Sequence, residues 1–285
     1  MKSEIQNRIA KLSTPGQLPD GTAYRRIFVE DVGNLSDEFG VSGRDIEIAA
    51  LEAGVIPERY ARNLKTFLPE DQAILLRSRV SVVGLGGLGG SVIEILARVG
   101  IGILNLIDGD TFEESNLNRQ FLSTQDLIAE SKAKTAAKRV NEINSSIDVH
   151  VYEENLNDSN AVALIENSDV TVDCLDNIRT RFVMERASKK NGSPFVSAAV
   201  AGVSGHVTTI FPEDPGLELI YGEQGALSQK GVETSLGCLP QAVTVLAALE
   251  CSEVVKILLG NGEVLRNKLL FVDLADNTIE TFQLF

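Results

Sequence analysis

The clearest regularity along the chain begins at Arg79, where short apolar runs rich in β-branched residues alternate with longer amphipathic stretches. Arg79–Val83, Ile103–Ile107, Ile147–Val151, Val170–Val172 and Phe195–Ala199 read as strands. Between them, Ser91–Val99, Ser131–Ile143, a stretch near 159–166 and another over 178–190 read as helices. This alternation predicts an α/β fold, a Rossmann-like, doubly wound and mostly parallel sheet with helices on both faces. Further on, Gly205–Phe211, Leu269–Asp273 and Thr278–Phe282 predict more strands, a C-terminal antiparallel extension flanking one long apolar helix over Pro240–Leu259.

The first part of the chain has a different pattern. Residues 1–40 are polar and broken by Pro15-Gly16, Pro19-Asp20-Gly21 and Gly33-Asn34, which predicts turns and partial disorder. Ser42 to Ala53 predicts a helix, with Ser42 as N-cap and Gly54 as stop. The expected division is a small helical, partly disordered appendage over 1–55 and a main domain over 56–285.

Composition changes this picture in three ways. With 26 Lys+Arg against 40 Asp+Glu, the formal charge of −14 repels polyphosphate chains and disfavours a nucleic-acid partner. A nucleotide remains compatible, because a few local donors outweigh a distant field. No apolar run spans a bilayer, and Met1–Gln6 lacks a secretory stretch, so no membrane association and a cytoplasmic location are expected. Cys174, Cys238 and Cys251 form no CxxC pair, which argues against a disulfide framework and against a four-thiolate zinc site from this chain alone.

Gly84, Gly86 and Gly89, with Gly87 between them, satisfy G-x-G-x-x-G directly after a predicted strand and at the start of a predicted helix. The spacing suits a tight turn, backbone approach to a phosphate and close helix–strand packing, and the helix start attracts the anion. A plain structural turn has the same glycines, so the motif alone is weak. The next strand, however, leads to Asp108, where a carboxylate holding a ribose hydroxyl is expected. A nicotinamide dehydrogenase would share all of these features.

What separates the readings is the polar loop that follows: Asp108-Gly109-Asp110, then Ser115-Asn116-Leu117-Asn118-Arg119-Gln120-Phe121. It carries more cationic and amide groups than hydride transfer needs. With this D-x-D, the S-N-L-x-R-Q run and the later Leu175-Asp176-Asn177, the chain from about Arg59 to Phe285 closely resembles the MoeB/ThiF/HesA branch of the ubiquitin-activating-like adenylyltransferases. The resemblance makes 56–285 an ATP-binding adenylation domain with ATP and magnesium as cofactors. It implies that Asp108 holds the ribose, that Asn116 and Arg119 meet the phosphates with Gln120 and Asp110 beside them, and that Lys132 reaches the phosphates from the next helix. It implies Asp176 as the magnesium carboxylate. Arg62 resembles the arginine that enters a neighbouring subunit's site, which implies a homodimer, although Asn63 replaces the usual glutamine after it.

The chemistry agrees. Adenylation brings a carboxylate to an α-phosphorus, so two anions must be neutralised and aligned; Arg and Lys clamps, magnesium and backbone N–H groups do this without a covalent nucleophile. Plainer roles stay open: Arg119 as a loop residue, Lys132 and Arg62 as surface cations, and Asp176-Asn177 as a helix cap.

The chain also departs from the family pattern. Leucine and isoleucine occupy Gly216–Ile220, where a first zinc CxxC is expected, and Asp273–Phe285 holds no cysteine, so no zinc is expected. No C-terminal rhodanese-like extension is expected. Cys238, at the start of the long helix, is a candidate nucleophile or persulfide site; Cys174 and Cys251 read as core, and His150 and His206 receive no role. Gly216–Leu236 is expected to be a mobile loop that crosses the site and guides a partner's tail. The resemblance implies adenylation of the C-terminus of a small ubiquitin-like sulfur carrier ending in Gly-Gly, for molybdopterin, tungstopterin or thiamine synthesis. A different carboxylate, a modified tRNA base and a non-catalytic ATP-binding partner subunit remain as alternatives.

Overall fold

Strand β4, Arg79–Val83, is where the architecture starts, because its residues from Val80 onward are buried. The computed structural model describes residues 1–222 and 236–285. In it β4 pairs in parallel with β5 (Ile103–Ile107) on one side and with β7 (Val170–Asp173) on the other. Beyond β5 lies β6 (Asp148–Tyr152), and beyond β7 lies β8 (Phe195–Ala201), both parallel to their neighbours. Strands buried on both faces read as continuous apolar runs, which is why their positions are visible in the sequence.

After β8 the direction reverses. Strands β9 (Ser204–Ile210), β10 (Lys268–Asp273) and β11 (Thr278–Gln283) each pair antiparallel, giving one eight-stranded sheet of order β11-β10-β9-β8-β7-β4-β5-β6. The expected fold class, a mostly parallel sheet with a C-terminal antiparallel extension, is the one observed.

The connecting helices are α5 (Gly87–Val99), α6 (Lys132–Ile143), the short α7 (Ala161–Leu164) and α8 (Ile178–Asn191). A further short helix, α9 (Glu218–Tyr221), precedes the residues outside the description, and α10 (Pro240–Leu259) follows them. The expected mobile loop over Gly216–Leu236 therefore lies mostly outside the described residues. Helix α10 buries Val243, Leu246, Ala247 and Val254 in the same apolar cluster as Val92, Ile93 and Leu96 of α5.

Residues 1–40 differ from the expectation of turns and partial disorder. They form α1 (Lys2–Leu12), the strands β1 (Thr14–Gln17) and β2 (Ala23–Ile27), and α2 (Val29–Phe39). The physical reason is burial: Ile5, Ile9, Ile27, Val32 and Leu35 share one cluster with Ile46, Ala49, Ala50 and Val55. Gly33-Asn34, read as a turn, lies inside α2, where a Cβ on Gly33 would meet nothing within 4 Å. Helix α3 (Gly43–Glu52) begins as expected, with the Ser42 hydroxyl accepting from Asp45 N–H at 3.1 Å. Strand β3 (Val55–Pro57) pairs in parallel with β2 and runs straight into a 3-10 turn over Glu58–Asn63, followed by α4 (Pro69–Arg77). The small sheet thus continues past residue 55.

The junction of β4 and α5 is tightly packed. A Cβ added at Gly89 would lie 1.8 Å from the Gly84 carbonyl oxygen, and one at Gly84 would lie 2.7 Å from the Cys174 oxygen, where φ is +87°. Gly89→Ala is expected to cost about 2–3 kcal/mol through this overlap. Thermal unfolding of the variant checks it; an unchanged midpoint would mean the helix can shift to accept the methyl.

Candidate functional site

The C-terminal ends of β4, β5 and β7 lie side by side, with crossovers leaving in opposite directions. Open parallel sheets bind ligands at such a switch point. Three loops meet there: the glycine turn Gly84–Gly89, the polar loop after β5, and the turn from β7 into α8.

Asp108 joins the first two loops. Its Oδ2 accepts from Leu85 N–H at 2.6 Å and its Oδ1 from Asp110 N–H at 2.8 Å. Burial pushes its carboxyl above the usual range, while those two N–H donors and Lys132 pull it back. Each carboxylate oxygen keeps a lone pair for another donor, as a ribose hydroxyl would require.

Lys132 stands at the first position of α6, where the Ser131 hydroxyl caps the helix by accepting from Lys134 N–H at 3.3 Å. Its backbone N–H donates to the Asp110 carbonyl at 3.0 Å, and its ammonium lies 3.2 Å from Asp110 Oδ2. The side chain is nearly buried beside the loop, which argues against a free surface lysine.

In the polar loop the side chains divide between structure and surface. Asn116 is buried, and its Oδ1 accepts from Glu113 N–H at 3.0 Å, so this amide oxygen shapes the loop. Gln120 is buried against the glycine turn, its Nε2 at 3.2 Å from where a Gly86 Cβ would stand, and its Oε1 has no partner among the described residues. Arg119 is half-buried; its Nη1 donates to Ser115 O at 3.0 Å and Asn118 Oδ1 at 2.7 Å. Its carbonyl lies 3.6 Å from where a Gly87 Cβ would stand.

In the third loop the adjacent residues Asp176 and Asn177 take different roles. Asn177 Oδ1 caps α8 by accepting from Thr180 N–H at 2.8 Å. Asp176 is exposed, and its Oδ1 accepts from the Asn177 amide at 3.4 Å. The capping role read for the pair belongs to Asn177. An exposed carboxylate at a strand end suits magnesium, which takes one or two carboxylates and completes its shell with water and phosphate oxygens. Among the described residues no group of three or more His, Cys, Asp or Glu side chains is placed to hold a metal.

Beneath this turn is a feature the sequence reading missed. Asp173 is fully buried and accepts from Arg181 Nη1 at 2.9 Å, Ser197 Oγ at 2.6 Å and Leu175 N–H at 3.0 Å. Arg181 also donates to the carbonyls of Ala198, at 2.6 Å, and Leu175. Both backbone groups of Leu175, the residue before Asp176, are therefore held by this pair. No periodicity signals such a pair, since Asp173 simply ends an apolar strand. Glu250, also fully buried, has one oxygen 4.0 Å from the Cys174 thiol; burial pushes its carboxyl well above the usual range.

The remaining candidates lie elsewhere. Arg62 is exposed on the Glu58–Asn63 turn and makes no ion pair or hydrogen bond among the described residues. Tyr60 of that turn packs on Gly100, where a Cβ would stand 2.7 Å from the ring. Gly100 ends the 13-residue α5, so the turn sits about 20 Å from the glycine motif at the other end. Asn63 is spent on Gln72 Oε1 at 3.0 Å. Cys238 precedes α10 and its thiol donates to the Val200 carbonyl at 3.5 Å, while its own carbonyl accepts from Asn118 Nδ2 at 3.4 Å. Cys174 and Cys251 are buried, as expected. His150 bonds Asn105 Oδ1 at 3.0 Å, and His206 lies 3.3 Å from the Tyr221 hydroxyl.

Comparison with known proteins adds to this geometry. The ThiF family model matches residues 60–285. The SAMP-activating enzyme E1 of Haloferax volcanii is 37% identical over 229 residues, covering 79% of this chain and 84% of that protein. The adenylyltransferase and sulfurtransferase MOCS3 of Arabidopsis thaliana is 33% identical over 290 residues, covering 95% of this chain but 58% of its own length. In fold, Escherichia coli MccB with ATP matches at a TM-score of 0.68 and 22% identity, over 89% of this chain and 82% of that one. The microcin C7 biosynthetic enzyme MccB with N-formylated MccA matches at 0.71 and 19% identity, over 99% of this chain and 88% of that one. No helix among the described residues is long and apolar enough to cross a membrane.

Two measurements test the buried groups. Arg181→Met strands the Asp173 carboxylate, and is expected to cost about 3–5 kcal/mol in urea unfolding; a loss below about 1 kcal/mol would mean the pair is not coupled as drawn. Burial pulls the His206 imidazole from 6.5 down to about 4. Between those values the unfolded chain binds a proton that the folded protein refuses, so this group lowers stability as pH falls through that window. His206→Gln is expected to flatten the fall in melting temperature over that range; equal slopes would remove the assignment.

Proposed function

This chain belongs to the ThiF family, and from that premise we propose that it adenylates the C-terminal carboxylate of a small ubiquitin-like sulfur carrier ending in Gly-Gly. ATP is the adenylyl donor. One oxygen of the carrier's carboxylate attacks the α-phosphorus; the bond from that phosphorus to the β-bridging oxygen breaks, and pyrophosphate leaves. The carboxylate is already ionised near neutral pH, so no proton need be moved to activate it.

The observation that carries this reading is the meeting of the glycine turn, Asp108, Lys132 and Asp176 at the ends of three adjacent parallel strands. In it Asp108 holds the ribose, and the N–H groups opening α5 receive a phosphate. Arg119 leaves Ser115 and Asn118 for the phosphates, and Lys132 exchanges its Asp110 partner for them; Asn116 and Gln120 shape the loop that carries Arg119. Asp176 would hold magnesium, which would supply neutralisation of negative charge on the phosphate oxygens. Arg62 comes from a second copy in a homodimer, because in its own chain it lies at the far end of α5. The names of the relatives, an activating enzyme E1 and an adenylyltransferase, support the same reaction.

ATP–pyrophosphate exchange with candidate carriers tests the reading. Arg119→Ala and Asp176→Ala are each expected to lower exchange by about 100-fold or more, the effect of removing one charge-stabilising group. Exchange that survives either substitution within about tenfold would sink the site assignment.

A further inference from the structure

Every residue of the Glu58–Asn63 turn but one is tied down, and the exception is Arg62. Glu58 receives the Tyr24 hydroxyl at 2.8 Å and Arg26 Nη1 at 3.1 Å, both from β2 of the N-terminal sheet. Arg59 Nε lies 3.2 Å from Glu47 Oε1, a close ion pair without a directed hydrogen bond, and its Nη1 donates to Asn144 Oδ1. The Tyr60 hydroxyl donates to Glu47 Oε2 at 3.1 Å and accepts from Asn144 Nδ2 at 2.8 Å. Ala61 is buried, and Asn63 is held by Gln72.

The anchors come from both parts of the chain. Glu47, on α3, has none of its surface exposed. Asn144 ends α6, and also donates to the Ala97 carbonyl in the last turn of α5 at 3.3 Å. A buried carboxylate from the N-terminal unit is thus locked to the far ends of α5 and α6 through the turn that presents Arg62. For stability alone, a buried ion pair is a poor choice against apolar packing. What it does supply is a fixed direction for the turn.

We propose that the N-terminal unit is a brace: Glu47 and Arg59 are positioning residues that aim Arg62 into the adenylation site of a second copy. The inference rests on the reading above in which Arg62 acts across a homodimer. A charge that must meet a phosphate from another subunit has no local partner to guide it, so its backbone has to be set beforehand. A misplacement of about 1 Å costs up to about 100-fold in rate.

The test is complementation between subunits. Glu47→Gln keeps the shape of the side chain and removes its charge; Arg59→Met removes the other partner. As homodimers both are expected to lose about 10- to 100-fold in exchange kcat, with the KM for ATP within about twofold, since the site's own Asp108, Arg119 and Lys132 are untouched. Each is then co-expressed with an Asp176→Ala copy and the heterodimer isolated by two tags. Its one intact site takes Arg62 from the copy with the unaltered brace, so about half of wild-type exchange is expected to return.

The Arg62→Ala/Asp176→Ala heterodimer is the control. If the control recovers and the Glu47→Gln and Arg59→Met heterodimers do not, the brace is overturned while the trans arginine stands. If the control also fails, Arg62 does not act in trans, and the brace falls with it. Full activity in either variant homodimer likewise overturns the proposal. A merely structural loss would lower the melting temperature and would not be repaired by a copy lacking Asp176.

Discussion

One carboxylate sets the geometry on which the candidate site depends. Asp108 ends β5 and reaches across to the turn after β4, accepting from Leu85 N–H, while its other oxygen closes its own loop onto Asp110 N–H. Asp110 passes the connection on to Lys132 through its carbonyl and its carboxylate. Glycine turn, polar loop and helix α6 are therefore fixed relative to one another. Gly84 and Gly89 make this possible, because a methyl at either would push the turn off the strand.

The same construction recurs twice more. Asp176 and Arg62 are both exposed on short turns, and in each case a charged residue three positions earlier is held by a buried partner of opposite charge. For Asp176 it is Asp173, bound to Arg181; for Arg62 it is Arg59, bound to Glu47. Precision is placed below the surface, where side chains are held on several sides, and the exposed charge above is left with water on its outer face.

The chain from Arg79 onward was legible because buried parallel strands leave unbroken apolar runs. Arg79–Val83, Ile103–Ile107 and Pro240–Leu259 have the bounds that their patterns indicate. The first forty residues were not, since α1 buries only Ile5 and Ile9 and its other positions resemble a solvated loop. Helix α4 went unread for a related reason: its buried face includes Gln72, a polar residue whose role is to bond Asn63 and the Val99 carbonyl. Spacing after the glycine turn picked out Asp108, and the family resemblance implied Arg119, Lys132 and Asp176. It was silent on Asp173, Arg181 and Glu47, because pairing of buried charges depends on three-dimensional neighbours. It also implied Asn116 as a phosphate contact; in the structure the Oδ1 of that amide accepts from Glu113 N–H.

The Lys132–Asp110 pair has a bearing on selectivity. An ammonium already neutralised at 3.2 Å offers little to a passing anion, particularly on a chain of net charge −14. A lone phosphate would have to displace Asp110 with no second contact to compensate, and Asp110 would then be left as an unpaired negative charge beside it. A ligand that brings several phosphate groups together with a divalent cation faces no such imbalance. On the proposed reading the pair would act as a threshold, favouring a metal-bound polyphosphate over simple anions.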